Sequence, residues 1–413
     1  MGLREEVNEI IQKLNYVCIY REYVMVANWE RAKFDKLAII VMGQSPPGTM
    51  CNMHGVGMPL LNGPTEFGEY YPTPVQFTTD ARKIAIPNDI LFCVRGSTTG
   101  RMNWADQEYA IGRGIASFRH RSGTEYRYFL KAIINFHLKE LLSVTTGSTF
   151  PNISRDQLAN LQIEIPPLSE QLAIAEVLSS LDDKIELNRR INATLKEIAS
   201  LLFKYWFVDN PESKEWGIGS ILEFAELLSG GTPSTTEPRY WNGDIDWVSA
   251  KDVGNAGGYF LLETEKKITQ TGIDNSSTKM LPVKTTIVTA RGTVGAYCLL
   301  GQPMAMNQTN YGLKAKEGIG DYFVNFTLKN MVEQLRQQSY GTIFDTITTR
   351  TFRDITCVQP PIKLIHKFES EVSPLMNYIL NNQEQSRTLA ALRDALLPHL
   401  MNGQVLVKGD ATL

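Results

Sequence analysis

The sequence predicts a mixed α/β protein in which two similar globular domains are joined by two long antiparallel coiled-coil helices, with an internal pseudo-two-fold repeat. Three observations carry this. After an opening Pro-Pro, the stretch from Pro166 to Asp209 is free of Gly and Pro and has apolar residues at helical spacing. The same pattern returns about 194 positions later, behind Pro360 and Pro361. Elsewhere, short alternating segments set off by Gly and Pro turns read as strands.

In chain order, residues 1–27 read as an N-terminal helical extension. Its opening, MGLREEVNEIIQKL, is acidic and amphipathic and lacks the basic start and apolar core of a signal peptide, so a cytoplasmic protein is expected. Residues 28–167 form the first domain, with strands at LAIIVMG (37–43), RKIAIP (82–87) and DILFCVRG (89–96) and a helix from about Glu125 to Leu142. The first long helix occupies 168–209, with Ser169 as its N-cap and its last turn at Val208. Its residues Leu178, Leu181, Ile185, Asn188 and Leu195 fall on the a/d seam of a coiled coil.

The second domain, 210–361, repeats the order of the first. GGTPS (230–234) stands where GQSPPG (43–48) stood, and GTIFDTITTRTFRDITCVQPP (341–361) matches GSTFPNISRDQLANLQIEIPP (147–167) without a gap. The blocks between these matches differ strongly, as expected of two related tasks on two different targets. Residues 362–413 form the second long helix and tail, whose Leu375, Ile379, Asn382 and Leu389 repeat the first seam. Asn188 and Asn382 hold equivalent positions, where a polar residue lowers stability but fixes register. Two unrelated helices, each packed on its own domain, would not explain the shared pattern.

Composition narrows the function. The five cysteines are scattered and never in C-x-x-C spacing, so neither a disulfide framework nor a zinc site is indicated. A net charge of -3 argues against indiscriminate coating of nucleic acid, and no apolar run reaches membrane-spanning length. The chain has no adenine-methylation element, phosphate-binding loop or paired-histidine metal motif. Glu265 and Lys267, with Asp244, Asp246 or Asp252 upstream, form a nuclease-like fragment that reads better as solvated surface. No cofactor or metal is expected on this chain, which reads as a recogniser and not a catalyst.

The candidate recognition residues lie in the matched turns. Arg95 and Arg291 each follow a predicted strand and precede a glycine, so the guanidinium can reach a phosphate or a guanine edge; closing the turn through carbonyls is the equal alternative. Ser97, Arg101 and Arg113 belong to a locally basic stretch, while Thr232, Ser234 and Thr293 stand in the corresponding turns of the second half. Gln44, Ser45, Asn307 and Gln308 can pair with base edges, the amides with adenine in particular. Phe203, Tyr205, Trp206 and Phe207 form an aromatic cluster expected to pack against the following domain.

The run PPLSEQLAIAEVLSSLDDKIELNRRINATLKEIASLLFKYWFVD, with GSTFPNIS, IGRGIAS (111–117) and LRDALLPHLMNGQV (392–405), resembles the specificity subunit of type I restriction-modification enzymes. The second helix departs from the pattern, opening PPIKLIHKF without the Ser-Glu-Gln of the first. The resemblance implies two target-recognition domains reading a split site on double-stranded DNA. It also implies two modification subunits that methylate adenine with S-adenosylmethionine, and restriction subunits that translocate and cut with ATP and magnesium. Helices of roughly 36 residues span about 54 Å and are expected to set the unread spacer between half-sites. A stand-alone DNA-binding regulator, or a structural scaffold of the same architecture, is the alternative.

Overall fold

A computed structural model describes residues 29–68, 70–143, 152–291, 294–338, 346–354 and 356–405. The expected helix in 1–27, Thr293, and the motif segments 147–151 and 341–345 lie outside these residues. The chain divides into two compact units, one comprising Met1–Glu186 with Arg387–Leu413 and the other Leu187–Ser386.

In the first unit, DILFCVRG yields the strand Ile90–Cys93, with all four residues buried, as a continuous apolar run requires. It lies inside a four-stranded antiparallel sheet ordered Ala38–Met42, Ile115–His120, Ile90–Cys93, Met102–Trp104. The helix Arg127–Phe136 buries Phe129, Leu130, Ile133 and Ile134 in the core that this sheet shares. The single helix expected from Glu125 to Leu142 is instead broken at His137 and resumes at Leu138–Ser143. The break lets Leu138 pack against the backbone of Gly100. A second sheet, five-stranded, orders Cys51–Asn52, Gln76–Thr78, Met58–Leu61, Tyr109–Ile111 and Ile84–Ala85.

The second unit repeats the frame. Ala225–Ser229, Asn310–Ala315, Thr286–Thr289 and Tyr297–Leu300 run side by side in one antiparallel order, with Phe260–Leu261 added at the edge. Each unit also has a two-stranded ribbon, Glu30–Lys33 with Gln162–Ile165 in the first and Gly217–Ser220 with Thr356–Gln359 in the second. The divergent blocks build different things: where the first unit has its five-stranded sheet, the second has a three-stranded one, Lys267–Ile268, Trp241–Val248 and Ala305–Met306.

The first long helix spans Leu168–Phe203. Ser169 does not cap it; Pro167 does the starting, its carbonyl accepting from the amides of Glu170 and Gln171 at 3.0 Å each. Proline already holds a near-helical φ, so the ladder can begin on its carbonyl without a side-chain cap. At the other end the expected α-turn to Val208 is a π-turn, Lys204–Val208, closed by Asp209 N donating to Lys204 O at 2.8 Å. The wider turn brings Phe203, Trp206 and Phe207 together into the core of the second unit, leaving Tyr205 exposed.

The second long helix spans Ile362–Met401. In the second unit, Asn188 donates to Gln385 Oε1 at 2.8 Å and Ser386 Oγ at 3.2 Å, while Asn382 donates to Asn192 Oδ1 at 2.9 Å. The order is antiparallel there. Ile379 is fully buried beside them, with Leu195 and Leu375 at the margin of the same core. In the first unit Leu178, Leu181, Leu396 and Leu400 join the core; Ile185 and Leu389 are half-buried. Asp182 accepts from Lys131 Nζ at 2.9 Å and from Arg393 Nη1 at 2.6 Å. Burial alone would raise the Asp182 pKa, but the two cations more than offset it and hold the carboxyl below its usual range.

Candidate nucleic-acid interface

The predicted residues of the first unit gather at one end of its four-stranded sheet. The registers Met42 with Ala116, Cys93 with Ile115, and Phe92 with Met102 bring three turns to that end: the one after Met42, the one after Cys93, and the one before Ile115. Gln44 and Ser45 lie in the first turn, Arg95 and Ser97 in the second, Arg113 in the third. The turns are locked by backbone bonds. Gln44 N donates to Ile111 O at 2.8 Å, Gly112 N to Leu61 O at 2.8 Å, Val94 N to Gly114 O at 3.0 Å, and Ile153 N to Val94 O at 2.9 Å.

The same four bonds recur in the second unit. Gly231 N donates to Met306 O at 3.0 Å, Asn307 N to Val248 O at 3.0 Å, Ala290 N to Thr309 O at 2.8 Å, and Ile347 N to Ala290 O at 3.0 Å. Position by position, Arg95 therefore corresponds to Arg291, Ser45 to Thr232, and Arg113 to Gln308. A shared close approach supports the match: a Cβ on Gly43 would stand 2.1 Å from Gly112 O, and one on Gly230 would stand 2.1 Å from Asn307 O, so only glycine fits either place. The hydroxyl at the Ser45 position also bonds its counterpart turn in both units. Ser45 Oγ accepts from Arg113 N at 3.3 Å, and Thr232 Oγ1 donates to Gln308 Oε1.

The side chains differ in how free they are. Arg113 is exposed, and its guanidinium meets no partner among the described residues. Arg291 is likewise exposed and unpartnered among the described residues. Arg95 is exposed and donates once, from Nε to Asn152 Oδ1 at 3.0 Å, holding the guanidinium beside the turn without closing it on carbonyls. Gly96 takes a φ of 91° with nothing near its Cβ position, so backbone conformation and not crowding selects the glycine. Ser97 and Ser234 are exposed, Ser234 Oγ bonding Thr236 Oγ1 at 2.8 Å. Asn307 is turned inward on its own loop, its Oδ1 accepting from Thr309 N at 3.1 Å and Thr309 Oγ1 at 2.7 Å.

The basic stretch read from the sequence does not stay together as a face. Arg101 is held by the carbonyls of Pro64 and Phe67 at 3.2 and 2.6 Å, an internal brace over the Phe67 ring. Arg119 pairs with buried Asp89 at 2.7 Å, and Arg121 donates to Asp35 O at 2.8 Å. Arg127 donates to Thr124 O at 3.3 Å, so the fold sorts the cations of this stretch, engaging Arg101, Arg119, Arg121 and Arg127 and leaving Arg95 and Arg113 at the sheet end. Sequence reasoning overlooked Asn62, whose exposed amide bonds Gln76 Oε1 at 2.8 Å and whose backbone lies against Gly112 and Gly114. The signal was present in the turn PLLNG, read only as a turn.

The chain matches the family model described as type I restriction modification DNA specificity domain twice, over residues 56–197 and 213–382. It is 24% identical over 340 residues to the type I restriction enzyme HindI specificity subunit of Haemophilus influenzae, covering 64% of this chain and 74% of that one. To the MjaIX specificity subunit of Methanocaldococcus jannaschii it is 27% identical over 346 residues, covering 78% and 79%. The crystal structure of a type I restriction-modification S subunit from M. genitalium shares the fold, with a TM-score of 0.57 at 16% identity, covering 92% of this chain and 98% of that one. No described helix is long and apolar enough to cross a membrane.

Proposed function

Because the chain belongs to the type I restriction-modification DNA specificity family, whose members recognise DNA sequence and are not themselves catalytic, we propose that each unit reads one half of a bipartite target through the turn cluster at its sheet end. The observation that carries this is the doubled frame. Two sets of matching backbone bonds put an arginine, Arg95 or Arg291, at the same position of each unit but exchange Arg113 for Gln308. A residue that stays the same while the target changes suits the phosphate backbone, which is the same in every sequence. A residue that changes suits a base edge: arginine matches guanine O6 and N7, glutamine matches adenine N6 and N7. The first half-site accordingly contains a guanine where the second contains an adenine.

Membership of the family favours this over a stand-alone regulator or a scaffold. The chain serves in a complex with other subunits, which we take to be two modification subunits using S-adenosylmethionine to methylate adenine, and restriction subunits using ATP and magnesium. Adenine methylation should appear only when the modification subunit is added to this chain. The two long helices set the unread spacer in this reading.

The test is a set of four variants assayed against randomised half-sites. Arg113→Ala should relax base preference in one half-site and Gln308→Ala in the other, by about 1 to 3 kcal/mol each. Arg95→Ala and Arg291→Ala should weaken binding to all sequences and reduce the salt dependence by about one phosphate contact each. Unchanged preference and affinity in all four would sink the proposal.

A further inference from the structure

One exposed apolar feature lies outside the turn cluster. After Ser45 the first unit runs through Gly48–Met50 into the short strand Cys51–Asn52, turns, and returns as Met58–Leu61. Both arms pair with Gln76–Thr78, Thr78 standing opposite Cys51 on one side and Met58 on the other. The tip of this finger is apolar and open to solvent: Met53 is 70% exposed, Val56 57% and Met50 47%.

The finger is cross-braced in spite of its exposure. Asn52 Nδ2 donates to Val56 O at 2.8 Å, while its Oδ1 accepts from His54 N at 3.0 Å and Val56 N at 3.1 Å. Thr78 Oγ1 and Thr79 N both donate to Met50 O at 3.1 Å. Gly57, at a φ of 92°, passes so close to Thr78 that a Cβ would stand 2.2 Å from its carbonyl oxygen. These bonds fix the backbone that carries Met50, Met53 and Val56, and apolar side chains clustered in water mark a contact surface.

The position says which partner. The strand Met58–Leu61 runs from the tip to Asn62, beside the Arg113 turn. At about 3.3 Å per residue the chain from Val56 to Asn62 puts the tip about 20 Å from that turn, roughly six base-pair steps. Val75, 53% exposed, stands next to the Gln76–Asn62 bond and carries the apolar surface toward the cluster. A duplex that meets Arg113 and runs along the direction of the Met58–Leu61 strand passes the finger. In the major groove the C5-methyl of thymine is the apolar group on a base edge, and apolar side chains sense it where amides and guanidinium groups do not.

We propose that Met53 and Val56, on the finger between Met50 and Gly57, read a thymine C5-methyl group in the half-site of the first unit. This rests on the reading of the turn cluster as the DNA-facing end. Among the described residues of the second unit the corresponding stretch carries no such apolar finger. That stretch exposes Thr235, Thr236 and Arg239, and Trp241 is drawn inward by a bond to Ser234 O and an edge-on approach to Trp247. Methyl reading should be confined to one half of the target.

The experiment uses the full chain with its modification subunits and a duplex carrying the target mapped from its methylated adenines. Each thymine of the first half-site, on either strand, is replaced in turn by deoxyuridine, which removes the methyl and nothing else. At one or two positions the replacement should weaken binding about fourfold, the worth of one buried methyl. The double variant Met53→Ser, Val56→Ser should bind thymine and deoxyuridine duplexes alike, with replacements in the second half-site without effect in either protein. A first half-site without thymine, or wild-type binding indifferent to every replacement, overturns the proposal. So does a double variant that keeps the wild-type ratio, or one weakened on both duplexes with the ratio unchanged, the mark of a wedge between base steps. Arg113→Ala run in parallel separates the two readings: no effect there fails the cluster itself, whereas a normal Arg113 effect without methyl sensitivity fails the finger alone.

Discussion

Asn382 donates its side-chain amide to Asn192 Oδ1 at 2.9 Å, both residues lying buried between the paired segments of the two long helices in the second unit. Flanking apolar layers could slide by a turn without leaving a polar group unpaired. The asparagine pair cannot.

That pair should show strong coupling. Asn192→Ala leaves the Asn382 amide buried without its acceptor, and should lower stability by about 1 to 3 kcal/mol. Replacing both with leucine removes the unmet group along with the bond and should recover much of the loss, at the expense of register. Urea denaturation of the single and double variants gives the coupling energy. Losses that simply add would mean the two amides do not depend on each other.

Lys196 makes stability depend on alkaline pH. Its ammonium donates to Gly257 O at 2.8 Å and stands 4.0 Å from the Tyr259 ring centre, yet burial first and the charge of Lys329 second lower its pKa to about 8. In the unfolded chain the value is about 10.4. Between those values the unfolded state binds the extra proton, so stability rises with pH across that window, and below it the buried charge is a standing cost. Lys196→Met should therefore stabilise the protein at pH 7 by on the order of 1 to 2 kcal/mol, less what the lost bond to Gly257 takes back. Melting curves from pH 7 to pH 10 should show the gap to wild type closing; a constant gap would refute the account.

A fragment ending at Asp209 keeps the first recognition domain and the first helix but loses Leu396, Leu400 and Met401 from the first unit's core. It still contains their repeat counterparts Leu202, Trp206 and Phe207. Two copies should therefore associate, each lending that segment to the other, and should read two identical half-sites in inverted orientation. Sedimentation at micromolar concentration tests this. A folded, stable monomer is the contrary result.

Periodicity made the long helices legible because their seam is repetitive and local, and the matched blocks revealed the repeat. Pro374 and Pro398 would have argued against a helix of 40 residues, yet it runs through both: packing along the buried face at Val372, Met376, Ile379 and Leu396 outweighs the lost backbone bonds. Residue type singled out the turns, and the matched blocks paired Arg95 with Arg291 and Ser45 with Thr232, but Arg113 and Gln308 look nothing alike and only the bonds around them show that they hold one position. The sorting of arginines was hidden for a similar reason. Arg101 and Arg113 are indistinguishable in the sequence, and the Pro64 and Phe67 carbonyls that engage Arg101 lie 37 and 34 positions away. The finger had no signal of its own in the sequence, because nothing local marks Met53 and Val56 as exposed.

The first unit's division of the chain also bears on synthesis. Its core includes Leu396, Leu400 and Met401, which leave the ribosome some two hundred residues after Glu186. At roughly 5 to 20 residues per second that is a wait of about 10 to 40 seconds. Over that interval the second unit, contiguous from Leu187 to Ser386, can fold to completion while the first stands with one wall of its core open. The half made first is finished last, and a chain cut short between Ser386 and Leu396 would carry a complete second unit beside a first whose core had never closed.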